Sequence, residues 1–188
     1  MVIRVSEPVL ADALVRLRGW ALSDAEWYAD TAAHDELIQR FTSEPPRLTL
    51  EQVRAAFVGL AGRDDAAGFL ICDPVSGQRW GNIAVEHRDG IGHVSYWLAG
   101  SARGRGVATC ALRLFSRWIL ATLPVTELTL WTHAENTASR AVAERVGFVR
   151  DPDRDQPRQI KGILWHTVAY RLTAGDIRGD DGGLCQLR

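Results

Sequence analysis

Between Ser95 and Thr109 an apolar aromatic run, Ser95-Tyr96-Trp97-Leu98, passes into a glycine-rich turn with two arginines, Arg103-Gly104-Arg105-Gly106. A segment with apolar residues at helical spacing follows, through Leu114, Phe115 and Trp118. A strand that enters a glycine-rich turn at a helix N-terminus is an arrangement suited to phosphate. The first backbone N–H groups of the helix have no acceptor within it, and glycine lets an anion approach them. The helix dipole adds partial positive charge, and Arg103 and Arg105 can add full charges. The expected ligand is a pyrophosphate-bearing cofactor.

Three kinds of glycine-rich turn compete for that role. A nucleotide P-loop requires a lysine after its last glycine, and the chain's one lysine is the distant Lys161. A dinucleotide fingerprint laid on Gly104-Arg105-Gly106-Val107-Ala108-Thr109 has threonine where close helix packing wants glycine or alanine, and the preceding strands read as a meander rather than a βαβ unit. The pattern Arg/Gln-x-x-Gly-x-Gly/Ala fits Arg103-Gly104-Arg105-Gly106-Val107-Ala108 without a departure. A second block follows about thirty residues later, Asn136-Thr137-Ala138-Ser139 and then Glu144-Arg145-Val146-Gly147-Phe148.

With these two blocks the chain resembles the GCN5-related N-acetyltransferases (the GNAT superfamily) and, within it, the RimJ/RimL-like branch that acetylates ribosomal-protein N-termini. Leu17-Arg18-Gly19-Trp20 and Ser23-Asp24-Ala25-Glu26 are similar to that branch's first strand and helix start. The resemblance implies a strand splayed from its neighbour with acetyl-CoA in the gap. Tyr96, Trp97 and Leu98 would meet the pantetheine arm, and Arg103, Gly104, Arg105, Gly106, Val107 and Ala108 the pyrophosphate. Asn136 and Ser139 would also contact the cofactor, with an N-cap as the alternative role of Asn136. Many family members carry a tyrosine acid where this chain has Ala143, so Ser139, or water, is expected to protonate the departing sulfur. Ser139 has a helix-start hydroxyl as its competing role.

The implied reaction is direct transfer of acetyl from acetyl-CoA to a primary amine, either a protein N-terminus or a small molecule such as an antibiotic, a polyamine or an amino-acid derivative. A non-catalytic acyl-CoA sensor is the rival from another class. Candidate bases are Glu86 and Glu135, beside His87, His133 and His166, and none stands out from the others. Trp20 and Trp27 are the candidate acceptor-site aromatics. The branch also allows a homodimer.

The elements that must position these residues can be read from periodicity. Leu14–Arg18 alternates as a first strand. Ser23 with Glu26, and Thr49 with Gln52, match capping boxes for two helices, separated by a loop at Thr42-Ser43-Glu44-Pro45-Pro46. Gly68–Cys72, Trp80–Val85 and Gly92–Leu98 form a meander. A helix is expected from about Gly106 to Leu120, a strand over Glu127–Thr132, a helix from Asn136 to Gly147, a brief strand at Phe148-Val149, a polar loop over 151–159 and a last strand over Ile163–Leu172. The expected fold is α/β (mixed α+β): a mostly antiparallel sheet of about seven strands, helices on both faces and, by the resemblance, a V-shaped splay.

Composition narrows the classes further. One domain over 1–173 is expected, with a C-terminal tail over 174–188. A net charge of −1 gives the chain no global pull toward nucleic acid or anionic membrane, and neither is expected as a partner. No apolar run reaches membrane-spanning length and no leader is apparent, so a cytoplasmic protein is expected. Cys72, Cys110 and Cys185 form no metal-ligand spacing, so no metal is expected, and they read as reduced thiols, with Cys72 and Cys110 as core packing.

Overall fold

A computed structural model describes residues 9–176. Nine strands among them form one sheet, two more than the spacing predicts. The chain begins with β1 (Leu10–Ala11) and β2 (Arg16–Gly19), then three helices, α1 (Ala25–His34), α2 (Glu36–Phe41) and α3 (Leu50–Ala61). The meander β3 (Ala66–Cys72), β4 (Arg79–Arg88) and β5 (Ile91–Leu98) leads into α4 (Val107–Thr122), β6 (Glu127–His133) and α5 (Thr137–Val146). The chain then forms β7 (Val149–Arg150), β8 (Gln156–Ile160) and β9 (Ile163–Thr173). Strand order is β1-β2-β3-β4-β5-β6-β9-β7, with β8 also on β9.

Every pairing is antiparallel except that of β5 with β6, and this exception shapes the molecule. The parallel pairing joins Ile91, Gly92 and His93 to Glu127, Leu128 and Thr129 and then stops. Beyond His93, β5 stays on β4 as far as Leu98, while β6 stays on β9 as far as His133. The sheet therefore opens as a V between Val94–Leu98 and Leu130–His133, as the resemblance implied.

Alternation assigns the two faces. Val94 and Leu98 on β5, with Leu128 and Leu130 on β6, join the main core, where α4 contributes Val107, Ala111, Leu112, Phe115 and Ile119. Full burial of one such side chain is worth roughly 1.5–3 kcal/mol. The opposite residues of β5 carry Trp97, which packs with Ile38 of α2 and with Ala32, Trp27 and Tyr28 of α1. Helices thus cover both faces, but unequally. α4 and α5 lie on the main core, while α1 to α3 cap the other side beside the open V.

Three local expectations are corrected. Ser23 and Glu26 do not make a capping box: Asp24 occupies the N-cap of α1 without a side-chain cap, and its buried carboxylate instead takes Arg18 at 2.7 Å and Arg79 at 2.8 Å. Helix α2, missed in the periodicity because it has six residues, is started by Asp35, whose Oδ1 accepts from the N–H groups of Leu37 and Ile38. The polar stretch 151–159 is more than a loop, because Gln156–Ile160 forms β8 and turns back through Lys161 and Gly162, both at positive φ. The box at Thr49 and Gln52 forms in both directions.

Cys72 and Cys110 are both buried. Cys72 is a free thiol. Cys185, and most of the tail expected over 174–188, lie outside the described residues. No helix among the described residues is long and apolar enough to cross a membrane, and no group of three or more His, Cys, Asp or Glu among them could hold a metal ion.

Candidate active site

The glycine-rich turn has the backbone geometry of an anion cradle. Gly104 and Gly106 both adopt left-handed conformations, with φ of 72° and 79°, and Gly106 is the N-cap of α4. The first intrahelical bond is made by the N–H of Cys110 to the carbonyl of Gly106, so the N–H groups of Val107, Ala108 and Thr109 have no backbone acceptor among the described residues. Left-handed residues alternating along a turn bring successive N–H groups together into a concavity that suits an anion. A Cβ built on Gly104 would meet no protein atom within 4 Å, so the space beside it is open for a ligand.

Upstream of this turn, the V between β5 and β6 forms the wall of a cleft of about 470 Å³. One wall is Val94–Leu98 with Arg103, Gly104 and Ala108. The other is Leu130–Thr132 with Glu135–Ser139. Two hydroxyls meet across it: Tyr96 Oη lies 3.1 Å from Ser139 Oγ. Burial pushes the Tyr96 phenol up to about 12, so it keeps its proton at neutral pH. Asn136 caps α5 through Oδ1, which accepts from the N–H of Ser139 at 3.1 Å. The cap is therefore the asparagine's, and the Ser139 hydroxyl is left for Tyr96. Ala143, where the resemblance led us to look for a tyrosine acid, is fully buried in the core, and Tyr96 brings a phenol to the first turn of α5 from the opposite wall.

The two arginines of the turn differ. Arg103 Nη2 donates to Asp35 Oδ1 and to the carbonyl of Leu98, each at 2.6 Å, and its N–H bonds to the carbonyl of Gly100. Its guanidinium thus ties the end of β5 to the N-cap of α2. Burial raises the Asp35 pKa, but Arg103 and the N–H groups of Ile38 and Leu37 together outweigh it and the net shift is downward. Arg105 is exposed, with its guanidinium over the Trp80 ring at 5.1 Å and a long contact to the carbonyl of Ser101. Its charge stays at the rim of the turn.

The far side of the cleft is lined by α2 and the loop after it, including Leu37, Ile38, Phe41 and Glu44. Trp97 and Tyr28 stand at 5.1 Å between ring centroids, and both donate to Glu44 Oε1, the Tyr28 hydroxyl at 2.5 Å and the Trp97 indole at 3.2 Å. Trp27 is 5.8 Å from Trp97, while Trp20 stacks on Phe57 at 4.6 Å. Neither Trp20 nor Trp27 lines the cleft; Trp27 packs on Trp97, which does, and Trp20 packs on Tyr28 and Phe57 behind it.

Among the candidate bases, Glu135 lines the cleft but is exposed and paired with Arg40 at 3.1 Å. Glu86 does not reach it. Its carboxylate lies at the outer end of β4 on Arg63, at 3.0 Å. His87 bonds the carbonyl of Asp64 at the surface, and His133 Nδ1 accepts from the N–H of Glu135 while its ring packs against Trp165 and Phe41. His166 is exposed and does not line the cleft. Periodicity passed over His93, the last residue paired before the V. Its Nδ1 lies 3.0 Å from Thr129 Oγ1, its ring stacks on Trp131, and burial together with nearby Arg158 lowers its pKa, favouring the neutral imidazole. His93, Leu130 and Trp131 line both the main cleft and a second cavity of about 240 Å³. Its position as a polar residue within an apolar strand was the available signal.

Comparison with known proteins agrees with this geometry. A family model described as acetyltransferase (GNAT) domain matches residues 15–149. The putative ribosomal N-acetyltransferase YdaF of Bacillus subtilis is 25% identical over 107 residues, a stretch covering 55% of this chain and 58% of that relative, so less than two thirds of the relative's length is matched. The structure of spermidine N-acetyltransferase from Vibrio cholerae, in complex with CoA and spermine, superposes with a TM-score of 0.78 at 14% identity, over 88% of this chain and 99% of the other. A putative ribosomal-protein-serine acetyltransferase from Vibrio cholerae gives 0.73 at 16% identity, over 89% and 98%. At these identities the structural likeness carries the fold.

Proposed function

We propose, since the chain belongs to the GNAT acetyltransferase family, that it moves the acetyl group of acetyl-CoA directly onto a primary amine. The observation that carries this reading is the early end of the β5–β6 pairing just upstream of the left-handed glycines. An unpaired strand edge suits an amide-bearing arm, and the turn beyond it suits a pyrophosphate. Acetyl-CoA supplies the activated acyl carbon and the thiolate leaving group.

The chain's own residues then have three tasks. The backbone from Gly104 to Thr109 holds the phosphates, with Arg105 adding rim charge. The edge of Tyr96, Trp97 and Leu98 aligns the arm, and a backbone N–H there faces charge developing on the acyl oxygen. Ser139 Oγ–H passes its proton to the departing sulfur, the Tyr96 phenol passes its own to Ser139 Oγ, and water returns a proton to the phenol, which burial keeps protonated at rest. Asn136 fixes Ser139 by capping its helix. Proton removal from the amine falls to Glu135 or to water, since Glu86 lies off the cleft.

The acceptor we favour is the N-terminus of a peptide, in keeping with the ribosomal-protein N-acetyltransferases among the relatives. The cleft and the second cavity share His93, Leu130 and Trp131 as a common wall, so a second space lies next to the cleft. The test is acetyl-CoA titration followed by thiol release with free-N-terminus peptides and small amines. Amine-dependent thiol release, fastest with peptides, is the expected result. Tight acetyl-CoA binding with no amine-dependent release would leave a sensor in place of an enzyme.

A further inference from the structure

We infer that Glu44 is the carboxylate that receives the acceptor's ammonium group, which makes an aliphatic ammonium the recognised feature of the second substrate. The inference deepens the acetyl-transfer reading and rests on it. An acidic residue before two prolines in a surface loop ordinarily points to water. Glu44 is instead half-buried and lines the cleft.

The loop that carries it is fixed at several points. The N–H of Thr42 and its Oγ1 both donate to the carbonyl of Ile38, and the N–H of Glu44 donates to Thr42 Oγ1. Gln39 Nε2 donates to the carbonyl of Pro45. The side chain is fixed as well, by the Tyr28 hydroxyl and the Trp97 indole, and both of these fall on Oε1. A carboxylate has room for about four hydrogen bonds across its two oxygens. Oε2 makes none among the described residues.

Lys161 feels the charge of Glu44 without pairing with it. A phenol and an indole orient a carboxylate but do not neutralise it. Among the described residues Glu44 forms no ion pair: nearby Lys161 places Nζ on the carbonyl and Oε1 of Gln39, at 2.8 and 3.0 Å, and Arg40 is on Glu135. A half-buried carboxylate in an otherwise largely apolar cleft, with one oxygen free, is a preformed partner for a cation. Trp97 connects it to the reaction, because its main chain belongs to the splayed strand while its ring N–H holds Glu44.

Glu44→Gln preserves an oxygen for Tyr28 and Trp97 and removes the charge. The probes are spermidine, a Ser-initiated tetrapeptide with a free N-terminus, and the N-acetylated twin of that peptide, titrated calorimetrically with and without CoA. In Glu44→Gln both charged probes should bind at least tenfold more weakly, and the acceptor KM should rise about as much. Acetyl-CoA affinity should stay within twofold, and Glu44→Asp should restore most of the binding. Equal binding by wild type and Glu44→Gln overturns the inference. The wild type alone provides a second test that needs no variant to fold: equal affinity for the free peptide and its acetylated twin also overturns it. Failure of wild type to release thiol with any amine counts against acetyl transfer, whereas the binding arm without CoA still decides Glu44.

Discussion

The donor and acceptor sides of the cleft are built from different materials. On the donor side the groups that face a ligand are main-chain ones: the free edge of β5, and the N–H groups gathered by Gly104 and Gly106 at the start of α4. On the acceptor side they are side chains, Glu44 from a loop and Trp97 from β5, with Tyr28 of α1 behind them holding Glu44. The helices on this side are held to the sheet by ion pairs, Asp24 with Arg18 and Arg79, and Asp35 with Arg103. A main-chain site needs only the right φ angles and survives wide sequence change around it. A side-chain site depends on how separate elements pack, so the acceptor can change while the donor stays the same.

The largest expected effect tests whether the acceptor side really hangs on its ion pairs. Asp24→Asn leaves Arg18 and Arg79 facing a neutral group at a fully buried position. The expected loss is about 3 kcal/mol, at the low end for a broken buried pair because both arginines reach solvent. It is read as a lower denaturation midpoint at neutral pH. Burial raises the Asp24 pKa, but bonds from Arg18 and Arg79 overcome this and bring it to about 2. The stabilisation is therefore complete above the unfolded value near ~3.9 and fades as pH falls toward 2. The gap between wild type and variant should close over that same window. A gap that is constant from pH 7 to pH 2.5 would remove the ion pairs from the explanation.

Gly106→Asp makes the opposite lesion. The space beside Gly106 is not tight, the nearest atom to a built Cβ being Leu14 Cδ2 at 3.7 Å, and aspartate tolerates a left-handed backbone better than most residues. The variant should fold with a melting temperature close to wild type. It should bind acetyl-CoA about 100-fold more weakly, because a carboxylate would stand at the phosphate-facing N-terminus of α4. Near-normal affinity in the folded variant would mean that the turn is not the phosphate site. Together the two variants separate the sides, one losing stability and the other the donor.

The same contrast explains what was legible in the chain. The turn at 103–108, the cap and glycine around α5, the Thr49 box and the meander are local patterns, and each appears in the structure where its spacing placed it. The splay was legible through resemblance. Helix α2 was not, since Asp35 begins a helix too short to show a period, and β8 was hidden by proline and polar residues although Lys161-Gly162 signalled a hairpin. The acceptor residues were the least visible. Glu44 lies in a loop that composition marks as exposed, and it becomes a site residue only through Tyr28 and Trp97, sixteen residues before it and fifty-three after it. Trp20 and Trp27 were read as groove residues because bulk alone cannot distinguish a wall from its support.

The finest test falls where the two sides meet, at Ser139. Its N–H serves the Asn136 cap and its hydroxyl meets Tyr96, so Ser139→Ala removes the second role and leaves the first intact. Turnover should fall about tenfold with little change in the acetyl-CoA KM, the signature of a group that acts in the transition state. Tyr96→Phe should cost a similar factor. The double variant should cost little more than either, since one proton path is cut twice. Burial holds the Tyr96 phenol near 12, so no limb of the rate profile between pH 6 and 10 should disappear on Tyr96→Phe. Additive losses would make the hydroxyls independent, and unchanged turnover in Ser139→Ala would assign the sulfur's proton to water, leaving the chemistry of the donor side to the backbone.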